Sequence, residues 1–336
     1  MSNLSKILVL GSNSFTAGYL IQHVLQSQKD CSVVAISRSP QVNPVMSAYL
    51  SSGNDRGRVE FLQLSVNHQA SEIVSVCDKF KPEYIFNFAA QGEVRNSWKW
   101  PDQWYETNCM GVVRLTSALV EREYLKKYVV SSTPEVYGST GEGMTESTSF
   151  EPSTPYAASK LAGDLHLGVL NKRYQFPVVF TRAANVYGPH QQLYRIIPRT
   201  VIYAKCGRKI NLHGGGKSRR AFIHAQDVAD ATLKAAEKGV AGEAYHLSPN
   251  NDLRTVRSVV ETVLQQMGEP FEKHVEMQDE NYGQDDCFSL NSSKAQQELK
   301  WSCQVPFEEG VEQVIKWVND NWAQISKMNL EYVHQP

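Results

Sequence analysis

Six short apolar runs punctuate the first half of the chain, at Lys6–Leu10, Ser32–Ile36, Val59–Leu62, Tyr84–Phe88, Lys127–Ser131 and Val178–Arg182. Amphipathic stretches of helical period lie between them, among them Ala17–Gln28, Ala70–Phe80, Pro101–Arg122 and Pro155–Tyr174. A strand that is apolar at nearly every position has no face to give to water, so it must be covered on both sides. Helix-length connections do this around a parallel sheet, because each crossover lays its helix on one face or the other. The expected fold is therefore α/β, a doubly wound parallel sheet. Beyond about Asn185 the alternation breaks. Tyr187-Gly188-Pro189-His190 leads into helical Ile196–Cys206, Gly214-Gly215-Gly216, helical Ala225–Lys238, a short strand Ala244–Leu247, and helices near Leu253–Met267 and Phe307–Trp322. With no repeat and no linker-like composition, the expected division is 1–184 for the sheet domain and 185–336 for a smaller α/β substrate-binding region, the chain crossing between them.

Charge narrows the partners. The 336 residues carry 34 Lys and Arg against 35 Asp and Glu, a net charge of −1. Nothing global favours nucleic acid or an anionic membrane surface, and phosphate binding has to come from local basic groups. No apolar stretch approaches the roughly 18 residues of a membrane span, and Met-Ser-Asn-Leu-Ser-Lys runs into the first strand without a leader pattern. The 6 cysteines are scattered, with no CxxC, which reads as reduced thiols in a cytoplasmic protein. His190, His213 and His224 match no zinc spacing, so no metal is expected.

The first strand runs into Gly11-Ser-Asn-Ser-Phe-Thr-Ala-Gly18 and then an apolar helix. Such a turn lets main-chain N–H groups and a helix N-terminus approach a pyrophosphate, and Gly11, Ser14, Phe15 and Thr16 are the candidate contacts. The motif is imperfect, with Ser14 in place of the second expected glycine and Ala17 in place of the third. Ile36-Ser37-Arg38-Ser39 ends the second strand without a carboxylate for a ribose 2′-OH. Ser37 and Arg38 instead suit a 2′-phosphate, so NADP is expected ahead of NAD, the alternative for Arg38 being a solvated side chain. After the fourth strand, Ala89, Ala90 and Gln91 are candidates for close approach to the cofactor.

Tyr156 and Lys160 are spaced YxxxK within Thr-Pro-Tyr-Ala-Ala-Ser-Lys. Residues four apart share a helix face, so the ammonium can favour the ionised phenol, with help from a Thr133 hydroxyl. A phenol otherwise near pKa 10 then becomes a base able to take a proton from a sugar alcohol during hydride loss. The spacing alone is common, and an exposed surface pair is the competing reading. Its position behind a Gly-rich turn and a Ser/Thr-bearing strand end favours chemistry.

Together these segments resemble the extended short-chain dehydrogenase/reductase family, and within it the nucleotide-sugar 4,6-dehydratases. The resemblance rests on 11–18, Asn-Phe-Ala-Ala-Gln (87–91), Thr107-Asn108, Ser-Thr-Pro-Glu-Val-Tyr-Gly (132–138), Tyr156 with Lys160, Arg182-Ala-Ala-Asn-Val-Tyr-Gly-Pro (182–189) and 216–229. It implies a Rossmann-type dinucleotide domain, a nucleotide-sugar substrate, a homodimer built on a four-helix bundle, and a place in deoxysugar or polysaccharide precursor synthesis. Glu135 occupies the base position of the dehydratase triplet. With C4 a ketone, the C5 proton is acidic and a carboxylate can abstract it while the 6-hydroxyl leaves. Pro134 departs from the pattern, offering neither acid nor donor, so water or Glu135 itself must protonate the leaving group. The resemblance points to Asn185 and Arg220 for the substrate diphosphate. Because Asn281 stands where an arginine is expected, Arg195 is a further candidate. The alternative enzyme is a nucleotide-sugar epimerase, with Glu135 incidental or acting at C5; a noncatalytic cofactor-binding sensor is disfavoured by the retained Tyr156 and Lys160.

Overall fold

The computed structural model describes residues 4–53, 56–278 and 287–335. Seven parallel strands form the central sheet in the order β11-β7-β5-β4-β1-β2-β3, with β11 at Ala244–Leu247. Six are the expected runs: β1 (Lys6–Leu10), β2 (Ser32–Ser37), β3 (Val59–Gln63), β4 (Tyr84–Asn87), β5 (Lys127–Ser131) and β7 (Val178–Ala183). The period-2 alternation of a strand explains the two cores. Ile7 and Val9 join Leu20 and Val24 of the helix Phe15–Ser27 on one face. On the other, Leu8 and Leu10 meet Ile73, Leu115 and Leu167 from three further helices.

The remaining strands are β6 (Gly141–Met144), β8 (Asn185–Tyr187), β9 (Ile210–His213), β10 (Arg219–His224), β11 (Ala244–Leu247), β12 (Leu253–Thr255), β13 (Val275–Gln278) and β14 (Cys287–Leu290). A second sheet runs β12-β10-β14-β6 with β8 beside β10, and β13 pairs β9. A boundary at 184/185 does not divide the layers cleanly. β11 returns to the central sheet beside β7, and the helix Ala225–Lys238 packs its Ala225, Ala229 and Leu233 into the first core. The substrate-side core is built by the helices Ile196–Lys205, Val256–Met267 and Phe307–Asp320, through Val201, Val263, Val314 and Trp317.

Two local features set the walls of the crevice. The expected helix Pro101–Arg122 is interrupted by a π-helical turn, Glu106–Met110, which separates Pro101–Tyr105 from Gly111–Leu119. The helix Pro155–Tyr174 is capped as its sequence dictates: Thr154 accepts a hydrogen bond from the Ala157 N–H at 3.1 Å and Pro155 fills the first turn. Gly163 lets this helix lie against the π turn, since a Cβ there would stand 2.3 Å from the Asn108 carbonyl oxygen.

Candidate active site

The crevice opens at the carboxyl ends of β1 and β4, neighbours in the sheet whose connections leave in opposite directions. Gly11 ends β1 with φ 70°, and a Cβ there would lie 2.5 Å from the Ala89 nitrogen. Only glycine satisfies both the left-handed backbone and that approach. Ser14 caps the following helix by accepting from the Ala17 N–H at 3.3 Å, and the first turn of that helix carries no acid. An anion at this N-terminus therefore meets no opposing charge. Phe15 sends its ring into the core against Tyr19, leaving its main chain as its contribution, while Thr16 is half-buried. The Ser12 hydroxyl is buried without a hydrogen-bond partner. An orphaned donor in a Gly-rich turn at a helix N-terminus fits a dinucleotide phosphate, and no sequence motif singled it out.

Asn108, on the π turn, holds the other wall. Its amide accepts from the Gln91 N–H at 2.9 Å, donates to the Gln91 carbonyl at 3.0 Å, and donates to Ser159 Oγ at 2.9 Å. The loop carrying Ala89, Ala90 and Gln91 is thereby tied to the helix bearing Tyr156 and Lys160. Ser37 is buried at the end of β2, and Arg38 follows it with its guanidinium donating to the Gln335 carbonyl at 2.8 Å.

The chain from β5 turns sharply at Thr133. Its hydroxyl accepts from the Glu135 N–H at 3.2 Å and also hydrogen-bonds the Tyr156 phenol. Thr133 thus caps the turn beside the phenol. Pro134 sits at the first position of the 3₁₀ turn Pro134–Tyr137, where a missing N–H costs nothing and a fixed φ pre-forms the bend. The Glu135 carboxylate lies close enough to Tyr156 to oppose its ionisation.

Tyr156 differs from expectation in its balance. Burial is the largest influence and holds the phenol above its ordinary value; Glu135 adds to this, Thr133 and Arg195 pull the other way, and Asp164 raises it further. The Lys160 ammonium donates to the Ser131 carbonyl at 2.7 Å, so it grips the end of β5. Burial lowers the Lys160 pKa, Asp164 raises it and Arg182 lowers it.

A buried network supports this corner. Arg182 donates to Asp164 Oδ2 at 3.2 Å and to the Tyr137 hydroxyl, and its guanidinium lies 4.9 Å from the Tyr137 ring centroid and 5.3 Å from that of Phe150. Asp164 also accepts from the Ser132 hydroxyl. Tyr137 meets His246 Nε2 at 2.9 Å, and burial pushes that imidazole down to about 3, leaving it neutral near pH 7. Asp164, one helical turn beyond Lys160, was detectable as an acid at i+4 but carried no known motif.

On the substrate side, Arg195 immediately precedes the helix Ile196–Lys205 and faces the site through its influence on Tyr156. Asn185 is exposed on β8. Arg220 lies on β10 and donates to the Arg219 carbonyl at 2.8 Å. Asn281 lies outside the described residues. His224 caps the helix Ala225–Lys238, and His190 bonds the Val45 carbonyl at 2.8 Å.

A family model described as the NAD dependent epimerase/dehydratase family matches residues 7–248. The dTDP-D-glucose 4,6-dehydratase of Mus musculus is 29% identical over 98% of this chain and 94% of its own length. The dTDP-glucose 4,6-dehydratase of Escherichia coli is 27% identical, covering 95% of each. Among solved structures, dTDP-glucose 4,6-dehydratase from Bacillus anthracis in complex with NAD superposes with a TM-score of 0.85 at 28% identity, over 95% of this chain and 98% of that one. UDP-glucose 4-epimerase from Thermotoga maritima shares the fold, with a TM-score of 0.84 at 23% identity over 94% of this chain and 99% of that one.

Proposed function

The chain belongs to the NAD dependent epimerase/dehydratase family, and on that premise we propose that it is a nucleotide-hexose 4,6-dehydratase, forming a 4-keto-6-deoxy sugar. The observation that supports this reading is the turn at Thr133, which leaves the Glu135 carboxylate within electrostatic reach of the Tyr156 phenol. An enzyme that only moves hydride at C4 has no use for a second base there.

A dinucleotide held by the Gly11 turn, Ser12 and the 89–91 loop would supply a reversible hydride acceptor for oxidation at C4 and reduction at C6. Tyr156, hydrogen-bonded to Thr133, takes the 4-hydroxyl proton, with Arg195 favouring the phenolate against burial. Lys160 fixes the end of β5 and so the position of Thr133. Glu135 then removes the C5 proton as the C6–O bond breaks and C5=C6 forms. Pro134 has no proton to give, so Glu135 passes the one it has gained to the departing oxygen, and water leaves. It regains a proton from solvent for C5 when C6 receives hydride. Asn185, Arg195 and Arg220 hold the diphosphate of the substrate. An arginine fork meets phosphate oxygens in pairs.

For the cofactor we assign NAD rather than the NADP that Ser37 and Arg38 suggested. The Bacillus anthracis dehydratase was solved with NAD, and here the Arg38 guanidinium is engaged by a main-chain carbonyl. Mass spectrometry of the dinucleotide released from purified protein tests the assignment. Incubation with dTDP-, GDP- and UDP-hexoses in deuterated water tests the reaction: dehydration gives loss of water with deuterium at C5, whereas a product of unchanged composition marks an epimerase and ends this reading.

A homodimer is supported by the outer face of the helix Pro155–Tyr174, where Leu165 and Val169 are 53% and 61% exposed, beside exposed Tyr105 and Met110 on the neighbouring segment. Changing Leu165 and Val169 together to aspartate is expected to halve the mass seen by light scattering. A variant that stays dimeric would place the interface elsewhere. Among the described residues no helix is long and apolar enough to cross a membrane. Free cysteines among the described residues support a cytoplasmic setting, and a 4-keto-6-deoxy product supports a role in deoxysugar or polysaccharide precursor synthesis.

A further inference from the structure

The segment Glu331–Gln335 leaves the substrate-side helices and crosses the mouth of the dinucleotide crevice. Its far end is held by two side chains that the sequence marked for the cofactor: Arg38, after β2, and Gln91, after β4, each donate to the Gln335 carbonyl at 2.8 Å. Because β1 lies between β4 and β2 in the sheet, this one carbonyl bridges the crevice above the Gly11 turn. His334 is the anchor. Its ring stacks on Trp100 at 4.4 Å and 8° and on Trp104 at 5.3 Å and 11°, and its Nε2 bonds Gln103 Oε1 at 2.6 Å. Nearer the substrate region, Tyr332 sets its ring edge-on to Tyr194, beside Arg195, at 5.4 Å.

The hydrogen bonds and stacked rings named above fall on Arg38, Gln91, Gln103, Trp100 and Trp104. The anchors are on the rim, and the phosphate-binding turn beneath keeps its orphaned Ser12 hydroxyl. A plug would spend its polar groups on that turn; a strap would spend them on the two walls. We propose that Glu331–Gln335 is the outer wall of the dinucleotide site, a strap that retains the cofactor through the catalytic cycle. This rests on reading Gly11, Arg38 and Gln91 as dinucleotide contacts. It suits a reaction that takes hydride from C4 and returns it to C6 of the same sugar, since a cofactor that departs between the two steps strands the intermediate.

The test measures release of NADH from three full-fold proteins by stopped-flow fluorescence: the intact chain, a chain lacking 331–336, and Trp100→Ala/His334→Ala, which keeps the segment but loses its anchor. Losing the strap removes at least two hydrogen bonds and a stacked ring, so release is expected to quicken by at least about tenfold in both variants, equivalent to ~1.4 kcal/mol. Unchanged release, or tighter binding after truncation as a plug would give, overturns the strap while leaving the dehydratase reading intact. If the intact chain binds neither NAD nor NADH, the reading of the site itself fails and the strap with it.

Discussion

Glu135→Gln is expected to form the C4 ketone and then stop. The amide keeps the size and the turn geometry but cannot accept the C5 proton, so loss of water should fall by about 10²- to 10⁴-fold, the usual contribution of a positioned base. In deuterated water, exchange at C5 should vanish with it. The same change acts on Tyr156 in the opposite direction. The Glu135 carboxylate opposes ionisation of the phenol, so removing its charge lowers the Tyr156 pKa, and C4 oxidation should persist to lower pH than in the unchanged protein. Two readouts moving apart, elimination lost and oxidation shifted toward acid, distinguish a base at 135 from a residue that merely supports the loop. A variant that still eliminates water at the original rate would remove the proposed acceptor and the mechanism built on it.

Asp164→Ala should produce the largest loss of stability, about 3–5 kcal/mol, because it leaves a buried guanidinium without its carboxylate. Arg182 and Asp164 are 4% and 6% exposed, so water cannot replace the missing partner. Ser132 loses its acceptor as well, and Ser132 is the residue before Thr133, so any surviving activity should show the end of β5 loosened. Urea unfolding measures the first effect. Removing both charges in Asp164→Asn/Arg182→Met should recover much of the loss, since the cost lies in the unpaired charge rather than in the absence of a pair. If the single substitution costs less than about 1 kcal/mol, within the range of ordinary surface changes, the network is not what holds this corner.

Much of this molecule was legible because its signals are short. An apolar run of five or six residues bounded by turns is a buried strand wherever it lies, and the six expected strands sit where they were read. Thr133 with Glu135 spans one turn and Tyr156 with Lys160 one helical turn, so their shared faces follow from backbone geometry alone. The seventh strand was recognised as a strand, but its place in the central sheet was not legible. Ala244–Leu247 pairs with β7 across some sixty residues, and nothing local records which sheet a strand joins. The helix Pro101–Arg122 was read as continuous because its apolar pattern is; the π turn at Glu106–Met110 that aims Asn108 at Gln91 is settled by the packing of Gly163 against it.

The amino-acid order by itself determined the alternation of strands and helices, the glycine turn, and which side chains of the 133–160 region can face one crevice, because each depends on a handful of consecutive residues. Only the tertiary structure decided that the Tyr156 phenol is held above its ordinary value, that Lys160 grips Ser131, and that Gln335 bridges Arg38 and Gln91. Those outcomes depend on burial and on groups brought together from distant parts of the chain. A charge balance or a hydrogen bond across 244 positions leaves no trace in local sequence.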